Sequence, residues 1–313
     1  MRALVLAALS SVVLTSLHAP TAGAEATDPP LTTPQSSLDA AVDCGPDIAR
    51  KKTVLLVPGT AIDAAETWSW GWRSGLEAAG FAVCTVELDR AVTSVYESAE
   101  VVVNAIRVAN VRSGQPISVV AYSQGAPLAL WALKFWPSAA AAVDKYVSLA
   151  GVYNGTADAD LLCAASLCPA LAWQMRPGSQ FLRRLTRDKL PDTIDYTSIY
   201  SMFDEVVLPQ PTASTLTGAR NIALQNLCAT RIADHGLIVG DSISWALTLD
   251  ALTHDGTADP TRIDSTVCST QFMPYADAPA MLTGEAHGVT LGGIQALQQP
   301  FVASEPALPT YTD

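Results

Sequence analysis

Ser123 lies in the run Ile117-Ser118-Val119-Val120-Ala121-Tyr122-Ser123-Gln124-Gly125, where an apolar stretch ends in a small-x-Ser-x-Gly turn and a helix-forming stretch follows at once. A turn that sharp between a buried strand and a helix holds the serine in a strained conformation with its Oγ exposed. Ala121 and Gly125 must be small, because strand and helix pass close together there. Alanine replaces the more usual glycine, so the pattern is A-x-S-x-G. A serine hydroxyl attacks only when a neutral imidazole takes its proton, and a carboxylate must fix the tautomer of that imidazole. The chemistry implied is acyl transfer through a serine-bound intermediate.

On such an elbow the acid and the histidine follow the serine in that order. The chain has four histidines, and His18 falls in an expected leader. His235 sits in Asp234-His235-Gly236, just before a helix expected from about Leu237, which suits a base on a loop. His254, in Thr253-His254-Asp255-Gly256, reads as a solvated turn residue. His287, in Glu285-Ala286-His287-Gly288, is the competitor, and order and context favour His235 over it. Asp204 lies just past an expected strand, Tyr196 to Tyr200, at the edge where the serine is presented. Glu205 points elsewhere in that turn, and Asp234 adjoins the histidine but reaches its ring poorly. A tetrahedral oxyanion needs backbone donors. The N–H of Gln124 is one, and the turn Val57-Pro58-Gly59-Thr60 after the first strand supplies another, where Thr60 can add its hydroxyl.

These residues need a frame. Thr53 to Val57, Phe81 to Leu88, Ile117 to Ala121, Lys145 to Leu149 and Tyr196 to Tyr200 read as strands. Residues 66 to 79, Val95 to Val111 and Ala126 to Phe135 carry helical periodicity. Strands alternating with helices predict an α/β domain with a mostly parallel sheet covered on both faces. Residues 157 to 187 read as a helical, lid-like insertion over the sheet edge. Leu161, Leu162, Leu167, Leu171, Trp173 and Met175 fall there with no charge between Asp160 and Arg176, which favours a cover over an apolar pocket. With no internal repeat, 44 to 313 is expected to be a single catalytic domain. Residues 25 to 43 read as a tether, and the tail from Pro300 as a surface wrap.

Residues 1 to 24 have the form of a signal peptide, with Arg2, an apolar run to Leu17 and an A-x-A site at Ala22 to Ala24, so the chain is expected to be secreted. Formal net charge is −12, and no Lys/Arg cluster resembles a nucleic-acid footprint. Charged residues make up only 15% of the chain, against about 25% in an average domain, which suits a surface that meets lipid. All six cysteines lie after the leader, an even count that favours disulfides in an exported chain. Spacing alone does not fix their pairing. Cys163 and Cys168 lack the companions of a zinc site, and an oxidised pair is expected there. Residues five apart on a helix point about 140° from each other, so that bridge requires the helix to break between them. Neither metal nor cofactor is expected.

Taken together these residues resemble the Candida antarctica lipase B type of lipase/esterase, an α/β-hydrolase family, over roughly Leu38 to Cys268. The resemblance is carried by Leu55 to Thr60, Ser123-Gln124-Gly125, Leu130 to Asp144, Tyr200-Ser201, Asp204 to Val207 and Asp234-His235. It implies Ser123, Asp204 and His235 as the triad, His235 rather than His287 as base, and Thr60 and Gln124 as oxyanion donors. Cys44, Cys84, Cys228 and Cys268 fall where that family has two disulfides, which implies Cys44–Cys84 and Cys228–Cys268. Tyr122 stands where the family has tryptophan, and Val152 where it has an aspartate near the pocket. The lid segment differs, and the chain after Cys268 aligns poorly. The implied activity is hydrolysis of hydrophobic esters such as acylglycerols by a monomer that meets its ester substrate or a lipid interface. Acyl transfer or polyester cleavage by the same triad is the alternative, and an inactive binding protein of the same fold is the least favoured.

Overall fold

The computed structural model describes residues 27–164 and 168–312. The expected leader and Leu167 lie outside the described residues. In chain order the strands are β1 (Val42–Cys44), β2 (Thr53–Val57), β3 (Ala82–Val86), β4 (Ile117–Tyr122), β5 (Val143–Leu149), β6 (Cys168–Pro169), β7 (Asp195–Tyr200), β8 (Arg220–Ala223) and β9 (Phe301–Val302). Seven form one sheet in the order β1-β3-β2-β4-β5-β7-β8. Its pairs are parallel except for β1, which runs antiparallel to β3.

Every residue of β2 and β4 is buried, as both faces of a parallel sheet require. Their side chains alternate between two cores. Leu55, Val57, Val119 and Ala121 meet the helices Val95–Ser113 and Gly125–Phe135 on one face. Val54, Leu56, Val120 and Tyr122 meet Trp68, Trp72 and the helix Ser242–Thr253 on the other. β2 lies between β3 and β4, so the chain reverses its direction across the sheet there. Such a switch opens a crevice beyond the C-terminal strand ends. Val57 pairs with Ala121 at those ends, which brings the loops after β2 and β4 side by side.

Several expectations need correction. Residues 66 to 79 form two helices, Ala64–Trp68 and Trp72–Ala78, parted at Gly71, whose backbone packs against Ala276. Residues 27–43 are no tether. Leu38 is buried in the helix Gln35–Ala40, β1 starts at Val42, and the Thr32 and Thr33 amides donate to the Glu100 carboxylate at 2.8 and 2.7 Å. The insertion is two things. Leu171 and Met175 line a pocket, whereas the helix Gln180–Arg187 places Phe181, Leu182 and Leu185 in the core beside Trp131. The tail does lie along the body: β9 pairs with β6, and Glu305 accepts hydrogen bonds from the Gln180 and Phe181 amides.

Three disulfides brace this frame. Cys44–Cys84 joins directly opposed residues of β1 and β3. Cys228–Cys268 closes the segment that carries His235. Cys163–Cys168 follows the helix Ala157–Leu162 and precedes the helix Ala170–Gln174, so the bridge sits at a helix break.

Candidate active site

Ser123 leaves β4 with φ at +52°, in the left-handed region that side-chain-bearing residues avoid. Its amide donates to Leu149 O at the end of β5, at 2.9 Å, which anchors the turn. A Cβ at position 125 would lie 2.3 Å from Pro58 O, so only glycine lets the helix start this close to the loop after β2. The serine Oγ is 2.9 Å from His235 Nε2, and His235 Nδ1 is 2.9 Å from Asp204 Oδ2. Asp204 is held from behind as well, since its Oδ1 accepts from the Val206 and Val207 amides at 3.0 and 2.8 Å. Its side chain has no exposed surface, so the carboxylate can neither swing nor hydrate. A fixed acid, an oriented imidazole and a hydroxyl in line can generate a nucleophile.

The competing residues have other partners. Glu205 Oε2 accepts from the His235 amide at 3.0 Å, steadying that histidine through its backbone. Asp234 Oδ1 accepts from the Leu237 amide at 2.7 Å, at the start of the helix Leu237–Gly240. His254 lies beside Asp250, and His287, on the helix Ala278–Gln298, places its Nδ1 2.6 Å from Glu66 Oε1. The loop bearing His235 is anchored by Arg231, which is buried, donates to Ser242 Oγ and to the Val267 and Thr270 carbonyls, and faces the buried Asp241 at 3.4 Å.

Among the described residues, neither the Thr60 nor the Gln124 amide is engaged by another acceptor, which leaves both for an oxyanion. The Thr60 hydroxyl donates to Gln124 Oε1, while Gln124 Nε2 is buried with no partner among the described residues. Turning the carboxamide by 180° reverses this: Nε2 then donates to Thr60 Oγ1 and the hydroxyl hydrogen is released toward a substrate.

Residues that sequence reasoning passed over hold this loop. Ala61 has φ at +70°, and its amide donates to Arg90 O at 2.7 Å while Arg90 Nη1 donates back to Ala61 O at 2.9 Å. Arg90 also pairs with Glu66 at 2.6 Å. Burial would raise the Glu66 acid, but hydrogen bonds from Arg90, the Asp63 amide and His287 bring it down to about 2. The Asp63-x-x-Glu66 capping box was readable as a helix start; the tie to Arg90 was not. Gly292 closes the loop from above: a Cβ there would lie 2.2 Å from Ala61 Cα.

A cavity of about 570 Å³ opens over Ser123 and His235. Ile62, Leu162, Leu171, Met175, Val206 and Val289 make it mostly apolar, and Asp158, Glu205 and Glu285 stand in its wall. Leu161, Phe203, Val206 and Val289 are exposed apolar residues of the site's flanking segments.

The parallel sheet, the serine elbow and a Ser-Asp-His order define an α/β-hydrolase. No family model matches the chain. Lipase B of Pseudozyma antarctica is 29% identical over 236 residues, covering 72% of this chain and 69% of that protein. The crystal structure of Aspergillus fumigatus lipase B superposes with a TM-score of 0.82 at 28% identity, covering 91% of this chain and 73% of that one. A Bacillus licheniformis lipase in its propeptide form, 16% identical over 70% of this chain and 54% of its own, shares the fold with a TM-score of 0.54. The chain has the α/β-hydrolase fold and is similar to the lipase B type.

Proposed function

We propose that the protein is a secreted serine ester hydrolase that cleaves hydrophobic esters such as acylglycerols through an acyl-serine intermediate. The observation that carries this reading is the continuous contact from Asp204 through His235 to Ser123 at the floor of an apolar cavity. Export is supported by three disulfides, which persist in oxidising compartments. No helix of the described residues is long and apolar enough to cross a membrane.

In the first half-reaction Ser123 Oγ adds to the ester carbonyl carbon and gives its proton to His235 Nε2. The carbonyl oxygen becomes an oxyanion, received by the Thr60 and Gln124 amides and the Thr60 hydroxyl. Asp204 stabilises the imidazolium through Nδ1. Collapse breaks the bond to the leaving oxygen, which takes the proton from His235 and departs as the alcohol. Water then repeats the sequence on the acyl-serine, releasing the acid and restoring Ser123.

Labelling with a fluorophosphonate and peptide mapping tests the assignment. Phosphonate on Ser123 alone, with labelling and p-nitrophenyl ester hydrolysis both abolished in a folded Ser123→Ala variant, is the expected result. Label on another serine overturns it.

A further inference from the structure

The cavity wall beside the base carries a carboxylate that the triad does not use. Glu285, on the helix Ala278–Gln298, lines the cavity with Thr60, Ile62, Tyr122, Ser123 and His235. A Cβ on Gly236 would lie 1.5 Å from Glu285 Oε1, so the carboxylate rests on the backbone of the residue that follows the base. No donor of the described residues hydrogen-bonds it; burial and then Asp234 raise its acid above the usual range, opposed by the charge of His235 and reinforced by Glu205. A half-buried carboxylate among Ile62, Tyr122 and Val289 is costly without a partner, and its position indicates where a partner would enter.

The leaving oxygen of an ester takes its proton from His235 Nε2, so the alcohol half lies on the histidine side of Ser123. Glu285 stands on that side. The Leu171, Ala172 and Met175 wall, which comes from the segment after Cys168, offers only apolar contact. We propose that Glu285 is a specificity-determining residue that selects esters whose alcohol half carries an O–H or N–H donor, such as the free hydroxyls of a partial glyceride, over plain alkyl esters. The proposal rests on the ester-hydrolase reading above. A hydrogen bond to an ionised group is strong enough to change selectivity by about tenfold or more.

The test compares propyl butyrate with 2-hydroxyethyl butyrate, which differ by a methyl in place of a hydroxyl, and adds 2-(dimethylamino)ethyl butyrate, a cation at neutral pH. The wild-type enzyme is expected to favour both polar esters in kcat/KM by about tenfold. Glu285→Leu brings the hydroxyl ratio to one or below, because leucine prefers the methyl. Glu285→Gln keeps a hydroxyl preference and loses the preference for the cation, and it serves as the readout if the leucine variant does not fold. A wild-type ratio near one overturns the proposal. So does an equal fall for all three esters in both variants, which would make Glu285 a support for His235 and nothing more. Hydrolysis of p-nitrophenyl butyrate separates the two levels. An enzyme that turns it over without any hydroxyl preference fails only this inference, whereas one that hydrolyses no ester fails the underlying reading too.

Discussion

The hydroxyl of Tyr122, the residue just before Ser123, donates to the backbone carbonyl of His235 at 3.0 Å, and the two rings lie 5.1 Å apart. Ser123 and His235 are thus tied through the backbone of His235 and the side chain of the residue before Ser123. Burial pushes the Tyr122 phenol well above its ordinary range, so it stays a donor at every working pH.

Tyr122→Phe keeps the ring and leaves the His235 carbonyl without its buried donor, a loss of about 1–3 kcal/mol. Lower thermal stability is expected together with a several-fold fall in kcat, with KM moving less. Calorimetry beside steady-state kinetics checks this, and unchanged kcat would mean that Glu205 and Arg231 hold the His235 loop without help from Tyr122.

Thr60→Val removes the hydroxyl that reaches Gln124 while keeping the shape of the side chain. Loss of one oxyanion donor costs about 2.7–4 kcal/mol in the transition state, or roughly a hundredfold to a thousandfold in kcat. A rate for Thr60→Val equal to wild type would mean that the two amides suffice and that the hydroxyl stays with Gln124.

The Glu66–Arg90 pair makes stability depend on acid. Glu66 is lowered from 4.5 to about 2, so its contribution is complete above pH 4.5 and is lost as pH falls toward 2. Glu66→Gln should melt earlier at neutral pH and show a flatter decline over that window. Melting curves from pH 7 downward read it, and parallel curves for both proteins would remove the pair from the acid response.

Cys163–Cys168 fixes the break between two pocket-lining helices, and Trp173 Nε1 ties the second to Val302 O at 2.9 Å. We expect Cys163→Ser with Cys168→Ser to loosen that wall and to change kcat/KM on long-chain esters more than on short ones. A p-nitrophenyl ester series decides it, since equal effects at every chain length would deny the segment a part in acyl selection.

That Ser123, Asp204 and His235 meet was legible because their signals are local: a strand-to-helix elbow, a carboxylate past a strand, a histidine before a helix. The central strands were legible for a similar reason, since β2 and β4 are unbroken apolar runs. β1 and β8 were not, because Val-Asp-Cys and Arg-Asn-Ile-Ala become strands only by pairing at the sheet edges. The helix Ala278–Gln298 was hidden by its glycines, which weaken a helix by about 1 kcal/mol each. Gly284, Gly288 and Gly292 repay that by letting the helix pack against Glu66, Ile62 and Ala61. Glu285 and Gly292 reach the site from this helix, so that wall of the pocket was out of sight as well. Residues 27–43 looked like a tether because they are polar, yet polar groups dock as firmly as apolar ones when a buried carboxylate such as Glu100 waits for them.

The left-handed backbone at Ser123 has a consequence for anyone who evolves this protein. The residue proposed to make it reactive is one that its own fold would shed, because glycine enters that conformation without the roughly 1–2 kcal/mol that a side chain incurs. Selection for heat resistance alone therefore drifts toward a tougher and inert molecule at this position. Durability and turnover pull against each other at one backbone torsion, and a library screened for only one of them will give up the other.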